Sequence, residues 1–260
     1  GRTPRAVFCD DSKKQLPYGV TVMEWLPGAP LNYQRDMRTA AEILADIHSL
    51  KVPESTRIIR REAPAQGIYN ECLAMAQHYL EWDRADKRAC GLIDTLITET
   101  GGLPLKETSG APVCIVNTEL NSGNFLINPD GKSYLIDWEK PLLSEPAQDL
   151  AHFLVPTTTF WKTDTILTPE EIATFANNYI AAVGDRMDTS TVRERLPLFF
   201  KVTCLRGITW CAMAMREYSE PGRALRNEIT FKKIQEYLAP DFLSNILDNY
   251  VRKDFLCGRA

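Results

Sequence analysis

Three side chains suited to phosphate or metal chemistry fall close together in residues 115–141, "IVNTELNSGNFLINPDGKSYLIDWEKP". Glu119 and Asn124 lie five residues apart on a loop that Asn121, Ser122 and Gly123 make tight, and Asp137 follows thirteen residues after Asn124. The apolar runs 125–127 and 134–136, joined through "NPDG", read as a β-hairpin because Asp-Gly favours the tight turn. The two ends of a hairpin meet, so Asn124 and Asp137 are expected side by side. One neutral and one anionic oxygen, with room left for phosphate and water, suit Mg²⁺ in a nucleotide site. Glu119, a short loop away, is placed to take a proton from a hydroxyl aimed at that phosphate. With the apolar run 114–116, the stretch is expected to carry its two carboxylates and its amide at the ends of three adjacent strands. A pair of well-capped turns with a solvated Glu119 is the structural alternative.

Composition excludes several other classes. The 260 residues, 44% hydrophobic and 25% charged, are those of an ordinary globular chain rather than a disordered one. A net charge of −4 gives no nucleic-acid footprint. The one basic cluster, Arg57, Arg60 and Arg61, lacks interleaved aromatics and reads as solvated surface. Apolar runs fall short of the ~20 residues that span a bilayer, and the N-terminus has no signal-peptide pattern, so no membrane partner is expected. Seven cysteines, none in a Cys-x-x-Cys pair, fit reduced thiols and a cytoplasmic location. Only His48, His78 and His152 supply imidazoles, which argues against a zinc site or a Ser-His-Asp triad.

The elements that must position these residues are legible in outline. "AVFCDD" and "YGVTVMEWL" read as strands around a polar turn. Met37 to His48 has helical spacing and stops before Pro53. A second helical region spans about Ile68 to Glu99, with a break near Asp83 to Lys87. After Pro146 the pattern is helical throughout, and "RLPLFFKVTCLRGITWCAMAMREYS", apolar nearly all round, reads as a central buried helix. The plan is α+β and dominated by helix.

These motifs resemble the aminoglycoside phosphotransferase and choline kinase-like family, which has the protein-kinase fold. That family's His-x-Asp-x-x-x-x-Asn loop corresponds to Asn117, Glu119 and Asn124. Its Ile-Asp-Trp/Phe-Glu corresponds to Ile136 to Glu139, and its Asp-Leu-Ala to Asp149 to Ala151. Upstream, "VTVMEWLPGAPL" resembles the hinge that meets the adenine ring, around Met23, Glu24, Trp25 and Leu26, and "AAEILADIHSL" resembles the helix that follows. The resemblance implies an ATP- and Mg²⁺-dependent phosphotransferase acting on a small hydroxylated substrate. Asn124 and Asp137 would be metal ligands and Glu119 the catalytic base. Asp149 would be structural, accepting backbone N–H bonds from the loop, and Glu139 would support the metal shell or face solvent. His48 and His152 are expected as packed helix residues. The cluster Thr157 to Trp161 would cap and pack a helix or line an acceptor pocket.

The pattern departs from the family at two positions, Glu119 for Asp and Asn117 for His. Glutamate keeps the carboxylate but adds a methylene, and a ~1 Å misplacement can cost about 10²-fold in rate. A catalytically silent member, binding nucleotide or a protein, is therefore the alternative reading. Some twenty residues precede "VMEWL", which is short for the phosphate-covering loop, strand lysine and helix glutamate of a kinase lobe. Residues 1–30 are thus expected as residual N-lobe strands and hinge, and 31–260 as the helical C-lobe. The acceptor is not readable. "MREYSEPGRALRNE" offers acids that suit either a cleft or solvent.

Overall fold

The computed structural model describes residues 1–107, 110–220 and 227–253; Cys257 and the 221–226 part of "MREYSEPGRALRNE" lie outside them. In chain order the strands are β1 (Ala6–Asp10), β2 (Val20–Met23), β3 (Ala29–Pro30), β4 (Ile59–Arg60), β5 (Cys114–Val116), β6 (Phe125–Ile127), β7 (Tyr134–Leu135) and β8 (Leu142–Ser144). The helices are α1 (Met37–His48), α2 (Pro64–Leu80), α3 (Lys87–Gly101), α4 (Pro146–Leu154), α5 (Pro156–Lys162), α6 (Pro169–Val183), α7 (Val192–Ser219), α8 (Glu228–Leu238) and α9 (Pro240–Ile246). The architecture is the expected helix-dominated α+β, with the strands gathered into three small sheets.

β1 and β2 pair antiparallel with each other, Cys9 opposite Thr21, and their side chains are largely exposed. The chain then runs to β3, which pairs antiparallel with β6, and β6 pairs with β7. The 115–141 stretch therefore contains the expected hairpin. Its base is closed by Ile136 N–H donating to the Asn124 carbonyl at 2.8 Å. The expectation of three adjacent strands is corrected: β5 leaves this sheet and pairs with β8, with Ile115 opposite Leu143, while β4 adds in parallel on the other edge of β8. β4 lies within the basic cluster, whose Arg57, Arg60 and Arg61 are exposed as expected, and Arg61 pairs with Glu71 at 2.8 Å.

α7 is the axis of the helical body and packs against α2, α4 and α8, while α1 packs on α6. By length and composition α7 is apolar enough to cross a bilayer, a point the run-length reading missed, but 67% of its apolar window is buried inside the fold. Local sequence explains the helix ends. Pro146, Pro156, Pro169 and Pro240 each open a helix, where a missing N–H costs nothing. Thr168 and Glu171 form a reciprocal capping box on α6. The Glu145 carboxylate at the start of α4 takes a bidentate pair from Arg195 of α7 at 2.7 and 2.8 Å, with both side chains buried. This fork fixes the first turn of α4 against the core helix.

The crossing from the β1–β2 hairpin to β3 depends on Gly28. Its φ is +142°, and a Cβ there would stand 2.8 Å from the Leu126 Cβ and 2.9 Å from the Leu126 carbonyl carbon. Gly28→Ala is expected to lower stability by about 2 kcal/mol through combined strain and overlap, read as a fall in the denaturant midpoint. An unchanged midpoint would show that β3 does not rest on this close approach.

Candidate active site

Residues 117–124 leave β5 and turn through a short 3₁₀ segment, Ser122–Asn124, before β6 begins. The loop is suspended from α4 by one carboxylate. Asp149, fully buried, accepts the Asn117 N–H at 2.7 Å and the Thr118 N–H at 2.9 Å. The oxygen that takes the Asn117 N–H, Oδ2, also meets His48 Nε2 at 3.3 Å, and His48 Nδ1 lies 2.9 Å from the Tyr179 hydroxyl. A carboxylate can only accept, so Nε2 carries the proton and Nδ1 takes the tyrosine's. Asp149 and His48 thus have the structural places expected of them. The clamp holds Thr118 at φ +74°, a strained conformation for a β-branched residue.

Asn117 explains one departure from the family pattern. Its Oδ1 accepts the Glu119 N–H at 3.1 Å, and its Nδ2 donates to the Asp137 carbonyl at 2.8 Å. The amide ties the loop to the far end of the hairpin. Asp137 is exposed, with φ +64°, and Asn124 is buried. Asn124 Nδ2 donates to the Glu119 carbonyl at 2.7 Å. That contact commits the nitrogen and leaves Oδ1 as the atom with acceptor capacity. The main chains of Glu119 and Asp137 and the Asn124 side chain are therefore tied into one network through Asn117 and the Glu119 carbonyl. Glu139 is exposed. Of the residues expected at a hinge, Met23 and Trp25 are exposed, Trp25 at 91%, and Leu26 is buried. Glu24 ties back to Arg5 through its backbone N–H at 3.0 Å and its carboxylate at 3.2 Å.

The Glu119 carboxylate does not stand alone. Arg206 of α7 donates to it at 3.0 Å, and Lys140 lies 4.0 Å away. Burial works against ionisation, but the Arg206 guanidinium overcomes it, with help from Lys140, and holds the pKa below the usual carboxylate value. His152 Nδ1 lies 3.1 Å from the Leu120 carbonyl, and its Nε2 lies 3.2 Å from Arg206 Nη1. The carbonyl needs a donor and the guanidinium an acceptor, so His152 is the neutral Nδ1–H tautomer. Burial, then the charge of Arg206, depresses its pKa to about 4.

Beside this cluster lies a cavity of about 150 Å³ whose walls include Glu119, Thr157, Trp161, Arg206, Trp210 and Tyr237. Thr157 and Trp161 therefore line a pocket as well as packing a helix. A Cβ at Gly207 would lie 2.5 Å from the Thr157 Cβ, so glycine lets α5 and α7 approach closely here. Sequence reading missed Arg206. Its signal was a lone guanidinium inside the apolar run "FFKVTCLRGITWCAMAM", where an unpaired charge would be costly.

The phosphotransferase enzyme family model (APH) matches residues 1–194. The chain belongs to this family. No curated protein sequence matches it, but solved structures do. A choline kinase from Cryptosporidium parvum Iowa II is 14% identical with a TM-score of 0.60, covering 97% of this chain and 76% of that one. The choline kinase LicA from Streptococcus pneumoniae is 18% identical with a TM-score of 0.55, covering 94% and 75%. The spectinomycin phosphotransferase APH(9)-Ia, solved with ADP and spectinomycin, is 18% identical with a TM-score of 0.54, covering 88% and 70%. At these identities the likeness shows the fold, a partial kinase-like one.

The network around Glu119 has a pH signature. His152 has a folded pKa of about 4 against 6.5 unfolded, so the unfolded chain binds its proton first as pH falls. Stability from this group is complete above pH 6.5 and lost between 6.5 and 4. Glu119, depressed in the opposite chemical sense, contributes above its ordinary value of 4.5 and loses that contribution below it. The window from 6.5 to 4.5 therefore reports His152. Denaturant titrations across it should show about 2 kcal/mol lost in the parent, after allowing for the ring's residual solvent contact. A His152→Gln variant, whose amide can keep both bonds, should show a flatter slope. An equal slope would remove His152 as the source.

Proposed function

We propose that this phosphotransferase-family chain is a small-molecule kinase that moves the γ-phosphoryl group of ATP to a hydroxyl. The observation that carries the reading is the joining of Glu119, Asn124 and Asp137 through one hydrogen-bonded loop. Among the described residues no group of three His, Cys, Asp or Glu side chains suits a metal. A pair of hard oxygens, from Asn124 and Asp137, instead fits Mg²⁺, which keeps waters and phosphate oxygens in its shell. Magnesium and ATP, when bound, supply the electrophilic phosphorus and neutralise charge on the leaving phosphate. Glu119 takes the acceptor's hydroxyl proton as the new O–P bond forms and the bond to the β-phosphate oxygen breaks, releasing ADP. Met23 to Leu26 would meet the nucleotide base, with residues 1–30 as hinge side and 31–260 as the helical lobe. The cavity beside Glu119 would take the acceptor, a small hydroxylated molecule.

A second reading, a silent nucleotide-binding member, draws support from the same carboxylate. Glu119 is neutralised by Arg206 and Lys140, which weakens it as a base. Melting experiments and turnover separate the two. Mg²⁺-dependent ATP stabilisation is expected in the parent and lost in Asn124→Ala and Asp137→Ala. Glu119→Gln should keep that stabilisation while losing roughly 10²- to 10⁴-fold in turnover with hydroxylated acceptors. Stabilisation that survives both ligand substitutions sinks the metal assignment. Stabilisation of the parent without turnover on any acceptor favours the silent reading.

A further inference from the structure

Arg206 has no part in the transfer as just described, yet it stands in the wall of the acceptor cavity. A guanidinium has five N–H donors. One bond reaches Glu119 and another His152, which leaves donors for a further partner. Thr157 lines the same cavity, 6% exposed, and its buried hydroxyl has no hydrogen-bond partner. Of the described lining residues Arg206 is the one cation and Glu119 the one anion. Lys140 adds a second positive charge 4.0 Å from Glu119, and His152 is neutral. Within the lining the two charges cancel, and the Glu119 carboxylate is engaged by Arg206 from the wall and by Lys140 from outside it.

The engagement of Glu119, set against the spare donors of Arg206, decides between two ligand chemistries. Aromatic walls alone suit an ammonium, and Trp161 meets both Trp210 and Tyr237 edge-on at 87°. An ammonium entering here would find its only carboxylate already shared by two cations. A carboxylate would find an arginine fork with donors to spare, a bare hydroxyl, and apolar rings for its carbon chain. We infer that the acceptor is a small hydroxylated carboxylate, its anionic end held by Arg206 and Thr157 and its hydroxyl facing Glu119. The inference rests on the kinase reading above and names the substrate class of that same site. It also gives the Arg206–Glu119 pair a purpose. The guanidinium that bonds Glu119 would also hold the acceptor's carboxylate, and so set its hydroxyl beside Glu119.

The cavity lining contains neither Asn124 nor Asp137, so nucleotide and acceptor contributions can be tested apart. Trp161 and Trp210 give a fluorescence signal on the full chain. Glycerate, 4-hydroxybutyrate and homoserine would be titrated against glycerol and choline, with MgATP stabilisation measured separately. At least one carboxylate is expected to bind tenfold or more tighter than glycerol and choline. Arg206→Met should erase that preference, and Thr157→Val, close in shape and free of an unpaired hydroxyl, should weaken carboxylate binding several-fold. Tighter choline or glycerol binding, no response to any carboxylate, or an unchanged preference in both variants overturns the inference. So does an Arg206→Met variant that loses MgATP rather than carboxylate. If MgATP stabilisation persists in the parent while carboxylates fail, the substrate class alone is wrong. If MgATP stabilisation itself is missing, the kinase reading falls with it.

Discussion

The buried carboxylate of Asp149 is the constraint on which the loop 117–124 depends. Removing a charge from water is expensive unless donors replace the lost hydration. Here two successive backbone N–H groups and one imidazole do so. The same bonds force Thr118 into the left-handed region, so loop conformation is set from outside rather than by its own preferences. His48 comes from α1 and Tyr179 from α6. The packing of those two helices on one another thereby reaches the loop through a single hydrogen-bonded chain. Arg195 and Glu145 complete the support by holding the start of α4 to the core helix.

Two environments meet at Glu119. On one side the Asn117 amide and the hairpin base fix the Asp137 backbone and the Asn124 side chain, an arrangement made almost wholly of backbone-anchored bonds. On the other side the cavity is walled by aromatic rings and by one guanidinium delivered from a buried helix. Asn117 in place of histidine is well accommodated, because an amide can accept from one strand end and donate to the other at once. Glu119 in place of aspartate has the longer reach, and that reach is what brings it to Arg206.

Much of this was legible in the sequence. Asp-Gly in "NPDG" announced the hairpin, and the spacing of Asn124 and Asp137 followed from it. Helical periodicity placed α1, α2, α3, α4, α6, α7, α8 and α9, whereas α5, seven residues opened by Pro156, was not set apart as a helix of its own. What escaped was non-local or very short. β3, β4 and β8 are strands of two or three residues, created by their partners and not by their own propensity. The transfer of β5 to a different sheet depends on β8, a pairing no local pattern encodes. Arg206 meets Glu119 across 87 residues of sequence. Only its oddity in an apolar helix marked it, and that oddity does not name a partner.

Gly207 bears on how such a pocket can change over evolutionary time. Binding pockets are usually retuned through loops, whose sequence varies at little cost to the core. Here the pocket wall is α7 itself, and the contact between position 207 and Thr157 is too close for a side chain. A larger residue that reshaped the cavity would also push α5 from the helix at the centre of the fold. Ligand choice and core packing are thus written in the same residues, and a lineage altering one must re-solve the other.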